Sequence, residues 1–427
     1  MIARIALVAA ALLTGLAGTA RAAPPPGLII DHATVLPMTG AAPLSNVSVV
    51  IQNGRIAALL RPGDRRPRDL KRIDASGKYL IPGLTDAHVH LMSDDMAKLY
   101  FGMLKLDLPA GIDTHDAVLP HLANGVTQIF NLQATPGGFL QKAEIASGKV
   151  MGPTILSAAM IDGDPPGWPV GMTRVARTPE EGRAEVRKLN LPVVGHIPQR
   201  GQDIAKFLQP GFGMVAHAEE YAQRNGTPDT SLIPRYVELT KANNTGLIAT
   251  LTLDDRLLES VRNPESLAAR PEIASIHPSA RKVWLEHNPY VTRNTPGYIA
   301  YLEKIVAFNK ALVKAFADAG IPILAGTDAN VPGVVPSFAL QDELAAPVAA
   351  GLSNEQALTA ATRAPCAWLK AKCGMVAPGM RADLLLLDGN PFEDIANTRT
   401  IRALILGGRL IERGELNRQM TKLVARK

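Results

Sequence analysis

Cysteine is almost missing from this chain: Cys366 and Cys373 are the only two in 427 residues. Two cysteines so placed do not make a zinc-binding set. A bridge between them stays open. Seven positions apart on a continuous helix they would lie about 10 Å from each other, beyond disulfide reach, unless the helix ends before Cys373. Also lacking is any dense Lys/Arg run interleaved with aromatics, which make up only 4% of the residues. The formal net charge of +6 is therefore weak ground for nucleic-acid or stable membrane binding. The one long apolar stretch, MIARIALVAAALLTGLAGTARA, is broken by Thr14, Gly15 and Gly18 and falls short of the roughly 18–20 residues that a membrane span needs. With Arg4 ahead of the run and Ala20-Arg21-Ala22 closing it, residues 1–22 are expected to be a cleavable secretory signal, giving a periplasmic or secreted protein. No cysteine follows the run, so a lipid-anchored form has no residue to use. Removing Arg4 and Arg21 with the leader lowers the net charge from +6 to +4.

A hydrophobic content of 47% is ample for one large domain or two. Residues 28–80 alternate short apolar runs with turns, and Asn53-Gly54 between two such runs is a strong hairpin signal. The same style returns in RADLLLLDGNPFED and IRALILGGRL. These ends are read as one small β domain assembled from residues 23–80 and 371–427, enclosing a different middle.

That middle, 81–370, alternates apolar runs with amphipathic stretches, as βα units do. Strands are expected at 84–90, 126–131, 154–159, 192–196, 213–217, 246–252 and 321–328, and helices at 178–189, 203–209, 233–243, 298–319 and 354–371. The length fits a (β/α)8 barrel better than an open sheet. Only seven strands are found. The interval 160–177, rich in Pro and Gly, offers none, and the polar helix ending near Lys188 runs almost directly into the apolar stretch that carries His196.

In DAHVH the side chains of Asp86, His88 and His90 fall on one face of a strand. Two imidazoles on one face can chelate a metal, although a polar strand end reads the same way. His196 and His217 each close an apolar strand candidate, and Asp328 closes IPILAGTD. That rim is where barrel enzymes place their sites. Four histidines and an aspartate converging there make an N/O donor set suited to Zn²⁺. Asp328 has a second reading as a helix N-cap, since Gly-Thr-Asp also starts helices well. Asp86 is expected to orient a ligand imidazole. Tyr221 and Arg224, after the His217 strand, are candidates to meet a substrate carboxylate, and Trp168 among prolines is a candidate pocket wall. His115, His121, His277 and His287 read as surface or supporting histidines.

The stretches GKYLIPGLTDAHVHL, GVTQIFNL, VVGHIP, VAHAEE, ILAGTDA and APGMRADLLLLDGNPFEDI together resemble the metal-dependent amidohydrolase superfamily. The likeness is to its secreted imidazolonepropionase-like and Xaa-Pro dipeptidase-like branch, and it runs from about 28 to 412. It implies an α/β fold: a distorted (β/α)8 barrel with a small β-sandwich built from both termini. It further implies that His88, His90 and Asp328 hold one metal and that His196 and His217, on the family's fifth and sixth strands, hold a second. In two-metal members a carboxylated lysine on the fourth strand bridges the pair. The block that would carry it, a G-x-D-x-I-K segment and a helix, is absent here, so the fourth βα unit reads as deleted. Lys188 is a poor substitute at the end of a charged helix. Relatives with one metal use the H-x-H pair, the fifth-strand His and the eighth-strand Asp, while the sixth-strand His orients water. The implied activity is hydrolysis of C–N bonds in small amides such as dipeptides or N-acyl amino acids, with one or two Zn²⁺ ions or another divalent metal and Asp328 as general base and acid. A mononuclear deaminase or cyclic-amide hydrolase, and a non-catalytic small-molecule-binding remnant, are the competing expectations. Homo-oligomerisation stays open.

Overall fold

The computed structural model describes residues 27–103, 111–164, 173–189, 193–197, 204–208, 212–222 and 227–426. Trp168, Arg224 and the leader 1–22 lie outside them, as does the side chain of Lys188.

Both ends of the chain meet in one eight-stranded sheet. Its order is Arg409–Glu412, Ile401–Leu406, Leu384–Leu387, Tyr79–Pro82, Leu28–Val35, Leu44–Gln52 and Arg55–Leu60, with Lys71–Asp74 pairing on Leu28–Val35. The hairpin expected at Asn53-Gly54 is present. Both residues have positive φ, +52° and +72°, and Gln52 pairs with Arg55 across the turn. A two-residue turn of this handedness matches the twist of the flanking strands. The Leu384–Leu387 strand is apolar throughout because it is covered on both faces. Leu384 and Leu386 pack with Leu28, Ile30, Val49 and Ile405, whereas Leu385 and Leu387 join the cluster that contains Ile81, Leu84 and Leu119.

The middle of the chain supplies seven parallel strands in two ladders. Leu84–Val89 pairs with Val126–Asn131 and that with Thr154–Ser157. Val194–Gly195, Met214–Ala216, Gly246–Ile248 and Ile323–Leu324 follow in the same order as in the chain. On one side the ladders join: Ala87 N–H donates to Ala325 O at 2.9 Å, and Val89 bridges Ala329 in parallel sense. Ala87, Phe130, Met214, Ile248 and Leu324 form a buried cluster against which Leu156 and Val194 pack, so every strand contributes a side chain. This is how a filled barrel interior is built. On the other side, among the described residues, no ladder joins Thr154–Ser157 to Val194–Gly195.

Two expectations need correction. The interval 160–177 does hold strands, Met160–Asp162 and Thr173–Val175, which pair with each other in parallel. Both are three residues long and incompletely buried, so they leave no apolar signature in the sequence. The helix expected at 354–371 is two helices, Asn354–Ala360 and Arg363–Trp368. After Trp368 the chain reverses through Lys370, at φ +54°, and Ala371 N–H donates back to Cys366 O at 2.9 Å. The reversal brings Cys373 to Cys366, with 5.6 Å between Cα atoms, and the two form a disulfide. The last described element is a helix, Arg413–Arg426, whose Leu416 and Leu423 are fully buried against the barrel. No helix among the described residues is long and apolar enough to cross a membrane.

Candidate metal centre

Strand Leu84–Val89 is buried along its whole length, and its pairing with Val126–Asn131 slips between Asp86 and Val89. A bulge re-aims the side chains that follow it. Asp86, fully buried, accepts hydrogen bonds from His88 N–H at 3.2 Å, Thr327 N–H at 3.0 Å and the Thr327 hydroxyl at 2.7 Å. Its role thus differs from the expected one: among the described residues it hydrogen-bonds no imidazole and instead clamps the backbone of the His88 strand to that of the Thr327-Asp328 turn. Gly326 lies in the same seam. A Cβ there would sit 2.5 Å from Ile248 Cγ2 and 2.9 Å from His88 Cβ.

The side chains held by this seam converge. Asp328 Oδ1 lies 2.8 Å from His90 Nε2 and 3.2 Å from His88 Nε2. The His217 ring is centred 4.6 Å from that of His88 and 4.9 Å from that of His196, so the four imidazoles form a chain around the carboxylate. Ligand atoms of His88, His217 and Asp328 all fall within 4.8 Å of one another. The geometry brings His217, rather than His196, closest to the H-x-H pair, whereas His196 is at the edge with its side chain 64% exposed.

Each outer imidazole is fixed from behind. His217 Nδ1 is 2.9 Å from Thr250 Oγ1. His196 Nδ1 is 2.7 Å from Glu220 Oε1, and the other oxygen of this buried carboxylate accepts from Ile197 N–H at 3.0 Å. Partners of this kind set the ring orientation and the tautomer of a metal ligand. His217, Thr250 and Asp328 all have positive φ, +76°, +48° and +57°. Such backbone costs energy for side chains with a Cβ, most of all for β-branched Thr, and it gathers at functional sites.

The electrostatics suit a cation. Burial, reinforced by the neighbouring imidazoles, holds His88 well below the ordinary histidine value, and burial brings His217 down to about 4. Both rings are therefore neutral, the form that ligates metals. Burial alone would raise Asp328, but the surrounding imidazoles outweigh it and hold the carboxyl well below the usual range. His88 Nδ1 and His90 Nδ1 are buried without a hydrogen-bond partner among the described residues. Three histidines and an anionic carboxylate, with the rings of His88 and His217 held neutral, form a donor set that fits a divalent metal.

Two carboxyls that the sequence reading passed over lie beside this group. Glu219 and Asp254 are bonded to each other, and burial raises both, reinforced at Glu219 by the Glu220 and Asp328 carboxylates and at Asp254 by Glu219. Glu219 stands two positions after His217 in VAHAEE, which was the available signal for it. Tyr221, in contrast, is corrected from substrate contact to packing: it is 1% exposed, bonds Thr240 Oγ1 at 2.9 Å and lies against Tyr236 and Phe316. It falls on the buried side of the short helix Glu219–Ala222. His277 caps helix Pro278–Glu286, and His115 reaches Gln419 on the C-terminal helix.

A model of the amidohydrolase family matches residues 183–411. Over 65 residues the chain is 43% identical to a 5-methylthioadenosine/S-adenosylhomocysteine deaminase from Symbiobacterium thermophilum, a match covering 15% of each protein. Among solved structures, a bottromycin amidohydrolase superposes with a TM-score of 0.72 at 18% identity, covering 94% of this chain and 91% of that one. A Xaa-Pro dipeptidase with methionine bound in its active site superposes with a TM-score of 0.64 at 19% identity, covering 90% and 100%. These two likenesses concern the fold, which is TIM-barrel-like. With the family model spanning more than half of its residues, the chain belongs to the amidohydrolase family.

Proposed function

We propose that the protein is an exported, metal-dependent hydrolase of C–N bonds in small amides, dipeptides or N-acyl amino acids. The observation that carries this reading is the convergence of His88, His90, His217 and Asp328, with His196 alongside. A remnant of the family would have no reason to retain converging, oriented imidazoles around a buried carboxylate on left-handed backbone that costs energy. When bound, a divalent metal, Zn²⁺ by the donor set, supplies Lewis acidity and lowers the pKa of water towards about 7. His88, His90, His217 and Asp328 would hold it, and His196, oriented by Glu220, would complete the set or position water. Asp328 takes a proton from the attacking water and passes it to the departing amine.

The proposal includes a deleted fourth βα unit, and with it the bridging lysine, which favours one metal over two. It is supported by the missing ladder between Thr154–Ser157 and Val194–Gly195 among the described residues. Export is supported by the Cys366–Cys373 disulfide, a bond typical of oxidising compartments.

The test is a screen of zinc-loaded protein against dipeptides and N-acyl amino acids, with the released amine detected colorimetrically. Turnover that disappears in Asp328→Asn supports the reading; a folded, metal-replete protein that cleaves none of them counts against it. The deaminase similarity makes a mononuclear deaminase the second reading, and ammonia release from purine nucleosides without amide cleavage would select it.

A further inference from the structure

A cavity of about 250 Å³ opens beside the metal centre, with His90 in its wall. It runs between the loop that follows strand Leu84–Val89, the helix Thr114–Ala123 and the segment around Ile276; Met92, Ile112 and Ile276 make it largely apolar, and His121 is its most deeply buried polar side chain. At the roughly 30 Å³ that one water occupies in the liquid, the space corresponds to about eight heavy atoms. It is smaller than the usual 300–1,000 Å³ of a whole-ligand site, so it takes one part of a ligand.

His121 is the informative residue. It is 1% exposed, and its Nδ1 has no hydrogen-bond partner among the described residues. Buried polar atoms are nearly always paired, and leaving one unpaired costs about 1–3 kcal/mol. A leucine at this place would fill the same wall at no such cost, so the imidazole is suited to a partner that the described residues do not supply. Burial lowers its pKa to about 4, so it meets that partner as a neutral ring. The charged groups along the cavity are already engaged: Asp116 pairs with Arg426 at 2.6 Å, and Asp113 caps the helix by accepting from Asp116 N–H.

We propose that this recess is a side-chain pocket of the amide substrate, selecting an uncharged, ring-sized group with a hydrogen-bonding end, a phenol for example, that pairs with His121. The proposal rests on the hydrolase reading for its position next to the scissile bond. His121 acts as a specificity-determining residue and takes no part in the chemistry.

The test measures binding on the full zinc-loaded chain, by titrating p-cresol while following the histidine ring nitrogens by NMR, with the His121 signals identified by their loss in His121→Leu. p-Cresol is expected to shift the His121 signals saturably. Toluene should bind roughly three- to tenfold more weakly, as the loss of one neutral hydrogen bond requires, and n-butylammonium should not bind. In His121→Leu the preference for p-cresol over toluene should vanish, and Ile276→Trp, which fills the recess, should abolish binding of both. No saturable shift at His121, or a shift that survives Ile276→Trp, overturns the pocket. The two proposals fail separately. If dipeptides are cleaved with no preference for tyrosine over alanine, the pocket falls and the hydrolase stands; if p-cresol binds at His121 but no amide is cleaved, the reverse holds.

Discussion

Replacing Glu220 by glutamine tests whether the barrel orients its ligands from behind. Glu220 is 3% exposed and uses both oxygens, one at 2.7 Å from His196 Nδ1 and the other at 3.0 Å from Ile197 N. Glutamine keeps the shape but offers one oxygen and one NH₂. With the oxygen towards His196, the NH₂ faces the Ile197 N–H, donor against donor. In the opposite orientation His196 must accept at Nδ1, which puts its proton on Nε2 and removes it as a ligand. Either way one charge-assisted hydrogen bond is lost, about 1.5–3 kcal/mol. At about 1.4 kcal/mol per decade that is roughly a 10- to 100-fold loss, the range found when such supporting partners of metal ligands are removed. Zinc affinity, measured by competition with a chelating dye, should fall by that factor in Glu220→Gln with the circular-dichroism spectrum unchanged. An affinity within twofold of wild type would refute the claim that Glu220 holds His196 for a metal.

Gly326→Ala should disturb the same centre from the opposite side: the added methyl meets Ile248 and His88, so thermal melting should report a loss of about 1–3 kcal/mol together with weaker zinc binding. Glu343, fully buried and bonded to Thr252 N–H at 2.7 Å, is pushed well above the ordinary glutamate value by burial. The folded state therefore holds its proton more tightly than the unfolded chain does, and stability falls as pH rises from the glutamate model value of 4.5 through the raised folded value. Glu343→Gln removes that dependence, so the melting temperature of wild type should decline more steeply than that of the variant between pH 5 and pH 9 in a buffer series kept at about the same ionic strength. Replacing Cys366 and Cys373 together by serine should cost about 2–3 kcal/mol, since the bond closes a short loop in the unfolded chain, and chemical denaturation would detect it; unchanged stability would contradict the bridge.

Much of this was legible because the signals were local and periodic. Asn53-Gly54 specifies its own turn, and DAHVH places its histidines by strand alternation. Seven apolar runs mark seven parallel strands, four of which lead into the residues of the centre. Backbone conformation was not legible: nothing in the sequence announces that His217, Thr250 and Asp328 take left-handed φ, because only a few per cent of non-Gly residues do so, and a β-branched Thr is among the least suited. The disulfide was hidden for a similar reason, since the reversal after Trp368 runs through Lys370, not a glycine. Tyr221 was misplaced because a residue two or three positions after a site can face either way on a short helix, and burial here turned it inward. Asp86 was placed beside the histidines correctly, but whether a carboxylate meets a ring or a backbone N–H depends on the neighbouring Thr327 turn, 241 positions away in the chain.

The central claim is that the centre survives as a metal site although, among the described residues, no ladder joins Thr154–Ser157 to Val194–Gly195. Elemental mass spectrometry on the purified protein, after zinc loading and removal of loosely held ions, tests it most directly. The account predicts about one tightly held metal per chain, lost when His88 and His90 are both replaced by alanine. A folded wild-type protein that retains no metal, or one that retains as much after the double replacement, would contradict it.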